Sequence, residues 1–475
     1  GFRKNLYLKR SDTSRKDEST GRLKVNWQLA ENTKIKFLIS QVDLNDPADI
    51  WTIDGSLNTL SDRPGMDSQK TNSYGLKVFH SFDGFELQSY TSSTDTNVIF
   101  SYDADWGNTD SHFPYVYDYF SETLRDRKSF NQEFRAVSDS ADFQKNSFFE
   151  WVIGANYLEL KESNLKKDDG LYGDPSDPYG PYASASASSS KYKSSNFSVF
   201  GNLDYLLSAS LKFSIGLRWE DWEADYSDSL QESFNPTDKM SGGKISLIKN
   251  MTNDTNIYAS LAKGYKQGGF NLGLGLDANA TNKNLAYDPE FLTNYELGIN
   301  TKLLDSRITF NGVLFYSDRE DQQVLISTQT DPSDPNTFSF LTQNAAEGVN
   351  HGLEINMDMG INQSLSAFVN LGILKTEIKN WQSRQDLEGR AQAHAPERSY
   401  ALGLNWAPTS HTYLAIDFTG KSSFYYSDSH NNKSKSYVLT NLNLGYVKNN
   451  WNYELWARNI FDEYYSVRGF YFGNE

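Results

Sequence analysis

Between Glu290 and Ser317 the chain reads EFLTNYELGINTKLLDSRITFNGVLFYS, and the pattern of this stretch constrains the fold more than any other feature. Tyr295, Leu297, Ile299, Thr301 and Leu303 alternate with Glu296, Gly298, Asn300 and Lys302. After a polar turn at Asp305-Ser306, Ile308, Phe310, Leu314 and Tyr316 share one face, and Arg307, Thr309, Asn311 and Ser317 the other. Val313 and Phe315 also fall on that second face, so it is largely rather than wholly polar. Period two around a two-residue turn specifies a β-hairpin with one apolar and one wet face. A single hairpin would mean little, but the chain repeats the pattern about nine times.

The repeats are clean well outside that stretch. Leu23, Val25, Trp27 and Leu29 oppose Arg22, Lys24, Asn26 and Gln28. Leu211, Phe213, Ile215, Leu217 and Trp219 oppose Lys212, Ser214, Gly216, Arg218 and Glu220, which are expected to face inward. Short turns fall at Glu31-Asn32, Phe82-Asp83-Gly84, Leu207-Ser208, Asn253-Asp254, Asn362-Gln363, Thr409-Ser410 and Asn449-Asn450. Long polar connections separate the hairpins, among them Asp43–Lys70, Thr96–Arg127 and Lys161–Lys191. The last is rich in Gly, Pro, Ser and Asp and is expected to be a mobile loop.

About eighteen strands, with short turns strictly alternating with long loops, describe a transmembrane antiparallel up-and-down β-barrel. No stretch approaches the ~18 apolar residues of a spanning helix, which says nothing against a barrel because inward polar residues cancel the lipid-facing ones. The 29 Tyr, 29 Phe and 10 Trp supply the interfacial girdles that such a wall needs. Polar segments Lys4–Thr20 and Asp462–Glu475 put both ends on the long-loop side, whereas an even-stranded barrel keeps both ends on the other. We therefore expect an odd number of strands beyond each end, about twenty-two in all, with Gly21–Leu29 and Trp451–Asn459 unpaired to each other. The opening residues, Gly1-Phe2-Arg3-Lys4-Asn5, lack the apolar core of a signal peptide, as expected of a mature or trimmed segment.

Chemistry is limited by the same sequence. A net charge of -16 argues against nucleic acid as a partner. The absence of Cys excludes disulfides and thiolate metal sites. The six His form no H-x-x-H pattern, and Leu272-Gly273-Leu274-Gly275 lacks the spacing of a phosphate-cradling loop. Asp168, Asp169, Asp174 and Asp177 are read as solvated loop carboxylates and not as a hydrolytic pair, with Ca²⁺ the one metal they would suit. We expect no enzymatic activity and no cofactor.

Several motifs, in order along the chain, resemble those of the TonB-dependent outer-membrane receptors. Tyr258–Asn271 (YASLAKGYKQGGFN) resembles that family's strand-to-loop motif, and Asn294-Tyr295-Glu296-Leu297-Gly298 the strand after it. Asn344-Ala345-Ala346-Glu347-Gly348 with Gly352-Leu353-Glu354 is similar to another family strand, and Ala457–Tyr465 (ARNIFDEYY) to the penultimate-strand motif. In the first motif Gly264, Gly268 and Gly269 would let a strand leave the wall, since positive φ is cheap for glycine. The resemblance implies a Gram-negative outer-membrane location, contact with outer-membrane lipid and lipopolysaccharide, and energy from the TonB complex. It also implies a plug domain and a closing strand, neither of which this sequence contains. Active uptake of a scarce large ligand follows, most often a ferric siderophore, with haem, cobalamin or an oligosaccharide as other family substrates. Without an encoded plug, the reading would shift to a passive porin or an adhesin.

A ligand arriving from outside meets the long loops first, and aromatic side chains there offer large contact area at low entropic cost. The candidates are Trp106, Tyr115, Tyr117 and Tyr119, then Tyr172, Tyr179 and Tyr182, then Phe270, Tyr425 and Tyr426. Lys266, Arg319 and Arg390 are candidates to attract an anionic ferric chelate. The expected vestibule is formed by Thr96–Arg127, Lys161–Lys191, Lys266–Pro289 and Gln382–Glu397.

Overall fold

The computed structural model describes residues 3–139, 148–271, 286–329, 338–381, 384–428 and 430–469. Eighteen antiparallel strands build one curved wall. In chain order these are β1 (Glu18–Ala30), β2 (Thr33–Pro47), β3 (Met66–Ser81), β4 (Phe85–Asp103), β5 (Val116–Ser138) and β6 (Phe149–Gly173). They continue as β7 (Tyr182–Ser208), β8 (Leu211–Asp228), β9 (Thr237–Asn250), β10 (Thr255–Lys266), β11 (Glu290–Leu303) and β12 (Ile308–Gln329). The last six are β13 (Phe338–Gly360), β14 (Leu365–Asn380), β15 (Arg398–Thr409), β16 (Thr412–Lys421), β17 (Tyr437–Lys448) and β18 (Trp451–Ala457). Each strand pairs with its neighbours in sequence, as an up-and-down barrel requires. Among the described residues the only helical segment is a single 3₁₀ turn, Gln385–Leu387.

The alternation decides which face meets lipid. On β8, Lys212 and Ser214 both bond the Asp204 carboxylate and Arg218 pairs with Glu220, so this polar set lines the lumen. Leu211, Phe213, Ile215 and Leu217 consequently point outward. Aromatic residues mark both edges of the apolar band. At the short-turn edge, Phe149 stacks on Tyr205 at 4.8 Å and Trp451 on Tyr453 at 6.2 Å. Nearer the long loops stand Tyr157, Trp219 and the Tyr295–Tyr316 pair at 6.2 Å. Phe149 and Tyr157 are eight residues apart on β6, about 26 Å along a strand and about 20 Å after a tilt near 40°. That height suits the apolar band of an outer-membrane barrel.

Close strand approach is eased by glycines lying under aromatic rings of the next strand. Tyr258 faces Gly298, Phe368 faces Gly403 and Tyr413 faces Gly445 in the register. A Cβ at Gly298 would lie 2.2 Å from the Tyr258 ring. Among the described residues β1 pairs only with β2 and β18 only with β17, and no register joins β1 to β18. Every residue of these two strands is exposed, unlike the strands between them.

Three long connections are shorter than the sequence suggests, because the strands run on past the lipid. The expected loop Lys161–Lys191 is mostly paired backbone, in register from Phe149↔Tyr205 to Tyr172↔Tyr182, and only residues 174–181 turn. The loop expected over Thr96–Arg127 shrinks to residues 104–115, and that over Asp43–Lys70 to residues 48–65. Above the membrane both faces of a strand meet water or loops, so the apolar/polar contrast that reveals a strand in sequence is missing there.

Candidate functional site

Strand β8 shows how the barrel changes character above the lipid. Up to Trp219 its apolar residues occupy odd positions and face outward. Beyond it they move to even positions, Trp222, Ala224 and Tyr226, while Asp221, Glu223 and Asp225 take the outer face. Once the outer face meets water, apolar burial is favourable only inward. Trp222 (1% exposed), Ala224, Tyr226, Met240 and Phe270 form a buried cluster, with Tyr192, Phe234 and Tyr265 against it. The Phe270 ring lies 4.8 Å from Tyr226 and 5.4 Å from Tyr192. Beneath it, buried Glu220 accepts bonds from Asn196 at 2.5 Å, Arg218 at 2.7 Å and Tyr265 at 3.0 Å. Phe270 therefore serves as a core residue of the wall and is not open to the lumen. Of this cluster, the sequence reading singled out Phe270 alone, although the switch in phase after Trp219 was visible in the sequence.

The tall hairpins β5–β6 and β6–β7 carry the other aromatic candidates to the rim. Tyr117 is directly opposite Tyr172, and Tyr172 opposite Tyr182, so the three form one cross-strand row. This face is continuous with Arg125, Arg127, Glu162 and Asn164, which bond one another on the lumen side. Tyr119 packs 4.8 Å from Tyr117 and lies over Gly170, where a Cβ would come within 2.3 Å of its ring. His112 is edge-on to Tyr117 at 5.4 Å. Tyr182 donates its hydroxyl to Asp177 at 2.9 Å. Tyr115 and Tyr179 are exposed on the connecting loops, and Trp106 is half-buried at a turn with φ 63°.

Across the mouth, two of the three cationic candidates are already engaged. Arg319 forms an ion pair with buried Glu290 and reaches Gln392 at 3.3 Å. Arg390 is buried and bonds Asp428 at 2.8 Å, the Ser427 and His430 carbonyls, and Asn431, tying residues 384–397 to residues 422–436. Its guanidinium lies 4.3 Å from the Tyr425 ring, and Lys433 lies 4.1 Å from the same ring. Tyr426 is bonded through its backbone to Asn432 and packs edge-on to Phe424. Lys266, at the end of β10, is exposed with no ion pair among the described residues. The arginines thus hold loops together, and Lys266 is the cation left to meet an anion.

The structure does not bring the four loop carboxylates together. Asp168 and Asp169 are consecutive on a strand and point to opposite faces. Asp168 accepts from Ser121 at 2.6 Å and Lys166 at 2.9 Å, and Asp169 from Arg63 at 2.6 Å. Asp174 caps Ser176 and Asp177 caps Tyr179 within the 174–181 turn. Among the described residues no three acidic or His side chains are closed around one point. Nor do the motif glycines work through φ: Gly264, Gly268 and Gly269 are absent from the positive-φ positions. Gly268 and Gly269 instead allow close approach, since a Cβ on either would lie 2.6 Å from Tyr287.

The same architecture recurs in solved proteins. The ferric yersiniabactin uptake receptor FyuA of Yersinia pestis superposes with a TM-score of 0.77 at 16% identity, over 100% of this chain and 70% of that one. The siderophore receptor PiuA of Acinetobacter baumannii gives 0.72 at 16% identity, over 95% of this chain and 71% of that one. The copper transporter OprC gives 0.71 at 15% identity, over 98% and 69%. At these identities the likeness shows the fold alone. The family model described as TonB dependent receptor-like, beta-barrel, matches residues 4–460. With that match across nearly the whole chain, this protein belongs to the TonB-dependent receptors, a family of receptors and transporters rather than enzymes.

Proposed function

We propose that this chain is the barrel of a Gram-negative outer-membrane receptor that captures a ferric siderophore at its outer rim. Uptake would be driven by the TonB complex through a plug filling the lumen. The observation that carries the reading is the Tyr117–Tyr172–Tyr182 row, backed by Tyr119, on the lumen face of the tallest hairpins. Such a row presents rigid aromatic area that loses little entropy on binding. Exposed Lys266 adds one positive charge at the mouth. Since Arg319 and Arg390 are spent on ion pairs, the grip on the ligand is aromatic more than cationic. Of the similar solved proteins, one is a ferric yersiniabactin uptake receptor and one a siderophore receptor, which supports the ligand class.

One observation favours a second reading: a copper transporter shares the wall at comparable similarity, so the barrel alone does not select iron. The test is a panel of ferric chelates, with haem, cobalamin, copper and oligosaccharides as competitors, titrated against the full-length receptor by fluorescence quenching. A ferric chelate bound at least tenfold more tightly than the other classes supports the proposal. Preference for copper, or for no iron complex, overturns it.

A further inference from the structure

The lipid-facing pattern of β8 recurs on the first strands of the wall. Ile35, Phe37 and Ile39 on β2 stand opposite Val78, Leu76 and Tyr74 on β3. Lys34, Lys36 and Lys77 alternate with them and so face the lumen, close to the short turns. Arg22 and Lys24 of β1, opposite Ser40 and Leu38, lie on the same face. Among the described residues none of these five cations has a carboxylate partner. Lys36 and Lys77 are moreover direct cross-strand neighbours. Like charges in that position repel.

Aromatic rings hold the two lysines where acids do not. Lys36 Nζ lies 5.1 Å from the centre of the Phe79 ring, and Lys77 Nζ 4.8 Å from that of Tyr90. The Arg135 guanidinium lies 5.1 Å from Tyr90 and 5.8 Å from Phe200, and that of Arg218 6.0 Å from Phe200. The lumen-facing Arg218 of β8 thus belongs to the same ladder of rings and cations. A ring face orients a cation without cancelling its charge. Two carboxylates share this height of the wall: Glu133 is paired with Arg135, and Glu86 accepts from Gln88 at 2.8 Å. The far wall has the opposite sign. Glu296, Glu354, Asp358, Asp417 and Glu454 face the lumen from β11, β13, β16 and β18. Amides, not cations, bond three of them: Asn294 to Glu296, Asn441 to Asp417 and Asn443 to Glu454.

On the receptor function given above, we propose that this basic, ring-lined strip is a second contact for the captured ligand below the rim. It binds multiply charged anions that carry aromatic rings. The rim has little positive charge to spare, since Arg319 and Arg390 are ion-paired. The strip supplies that charge, and the acidic wall opposite repels the same anion toward it. Ring faces set between cations suit the flat sides of a phenolate or catecholate chelate.

The experiment titrates the full-length receptor with pyrenetetrasulfonate, a planar aromatic tetra-anion, and reads its fluorescence. Binding should weaken as salt is raised, because a strip open to water is screened. In K36Q/K77Q the affinity should fall about tenfold, from the loss of two unit charges near contact. K36R/K77R keeps both charges and should bind as wild type, and E354Q/D417N should bind no more weakly than wild type. Removing a repelling pair should leave assembly intact; should K36Q/K77Q fail to assemble, R22Q/K34Q carries the same readout. A ferric tris-catecholate, a trianion, should displace the probe, and an uncharged ferric tris-hydroxamate should not. Equal affinity in wild type and K36Q/K77Q, or equal displacement by the two chelates, overturns the proposal. So does a wild-type receptor that binds no probe, its strip then being neutralised by carboxylates of a segment filling the lumen. A receptor that prefers copper at its rim yet holds the probe through Lys36 and Lys77 would sink the siderophore reading and leave this site standing.

Discussion

Replacing Arg390 by Ala should release the loops at one side of the mouth while leaving the wall intact. The Arg390 and Asp428 side chains are both almost wholly buried, and Asp428 also accepts the Ala393 N–H at 3.2 Å. Truncation removes the ion pair and the bonds to the Ser427 and His430 carbonyls, and leaves a buried carboxylate without its cation. Breaking one partner out of such a pair costs about 3–5 kcal/mol. Residues 384–397 also rest on β14 through Ile378 and Thr376, and the cost falls on the local closing equilibrium of the loops. At about 1.4 kcal/mol per decade, the closed-to-open ratio should drop roughly 100- to 4,000-fold. Native-state hydrogen exchange reads this directly. Protection should be lost in residues 384–397 and 424–436, and kept in β15, β16 and β17. D428N should lose protection in the same segments. Exchange in R390A within threefold of wild type would refute the reasoning, showing that the Lys433–Tyr425 contact and the backbone bonds suffice.

Other consequences follow from the wall. Gly298→Val should destabilise assembly by about 1–3 kcal/mol, because its Cβ meets the Tyr258 ring at 2.2 Å; Gly264→Ala, with nothing within 4 Å, should cost far less. A urea titration of refolding into vesicles compares the two. Leu217→Arg should cost about 2–4 kcal/mol if Leu217 faces mid-bilayer, and an equal effect at Glu223 would contradict the facing assigned here. Trp222→Ala should cost about 3–5 kcal/mol by opening a cavity in the Tyr192–Tyr226–Phe270 cluster, and should raise proteolysis of the adjoining β10–β11 connection. Replacing Tyr117, Tyr172 and Tyr182 together by Ala should weaken ligand capture at least 30-fold, the equivalent of about 2 kcal/mol, without changing assembly.

How much of this was legible depends on what each residue faces. Between the girdles one side is lipid and the other water, so strands such as Leu211–Trp219 announce themselves by alternation. Strand number, the short turns and the order of the elements were all readable there. Above the girdle the contrast disappears. Lys161–Lys191 looked like a mobile loop because Ala-Ser-Ala-Ser and Lys-Lys-Asp-Asp have no dry side, yet backbone pairing alone carries them to the rim. Each tyrosine of the row stands out singly in the sequence, but their register is not visible there, since cross-strand partners lie far apart along the chain. The ion pairs of Arg319 and Arg390 were hidden for the same reason: their partners Glu290 and Asp428 sit 29 and 38 residues away.

The account turns on the claim that β8 exchanges its lipid-facing and lumen-facing sets at Trp219. Residues 1–475 contain no cysteine, so single cysteines placed among them meet no background from this barrel. In whole cells expressing the full-length receptor, a membrane-impermeant maleimide should label Glu223→Cys and leave Leu217→Cys and Tyr226→Cys unlabelled. A lipid-phase probe should reverse the first two, labelling position 217 and not 223. Labelling of position 217 from the aqueous side, or of 223 from the lipid, would contradict the exchange and with it the assignment of rim, lumen and site.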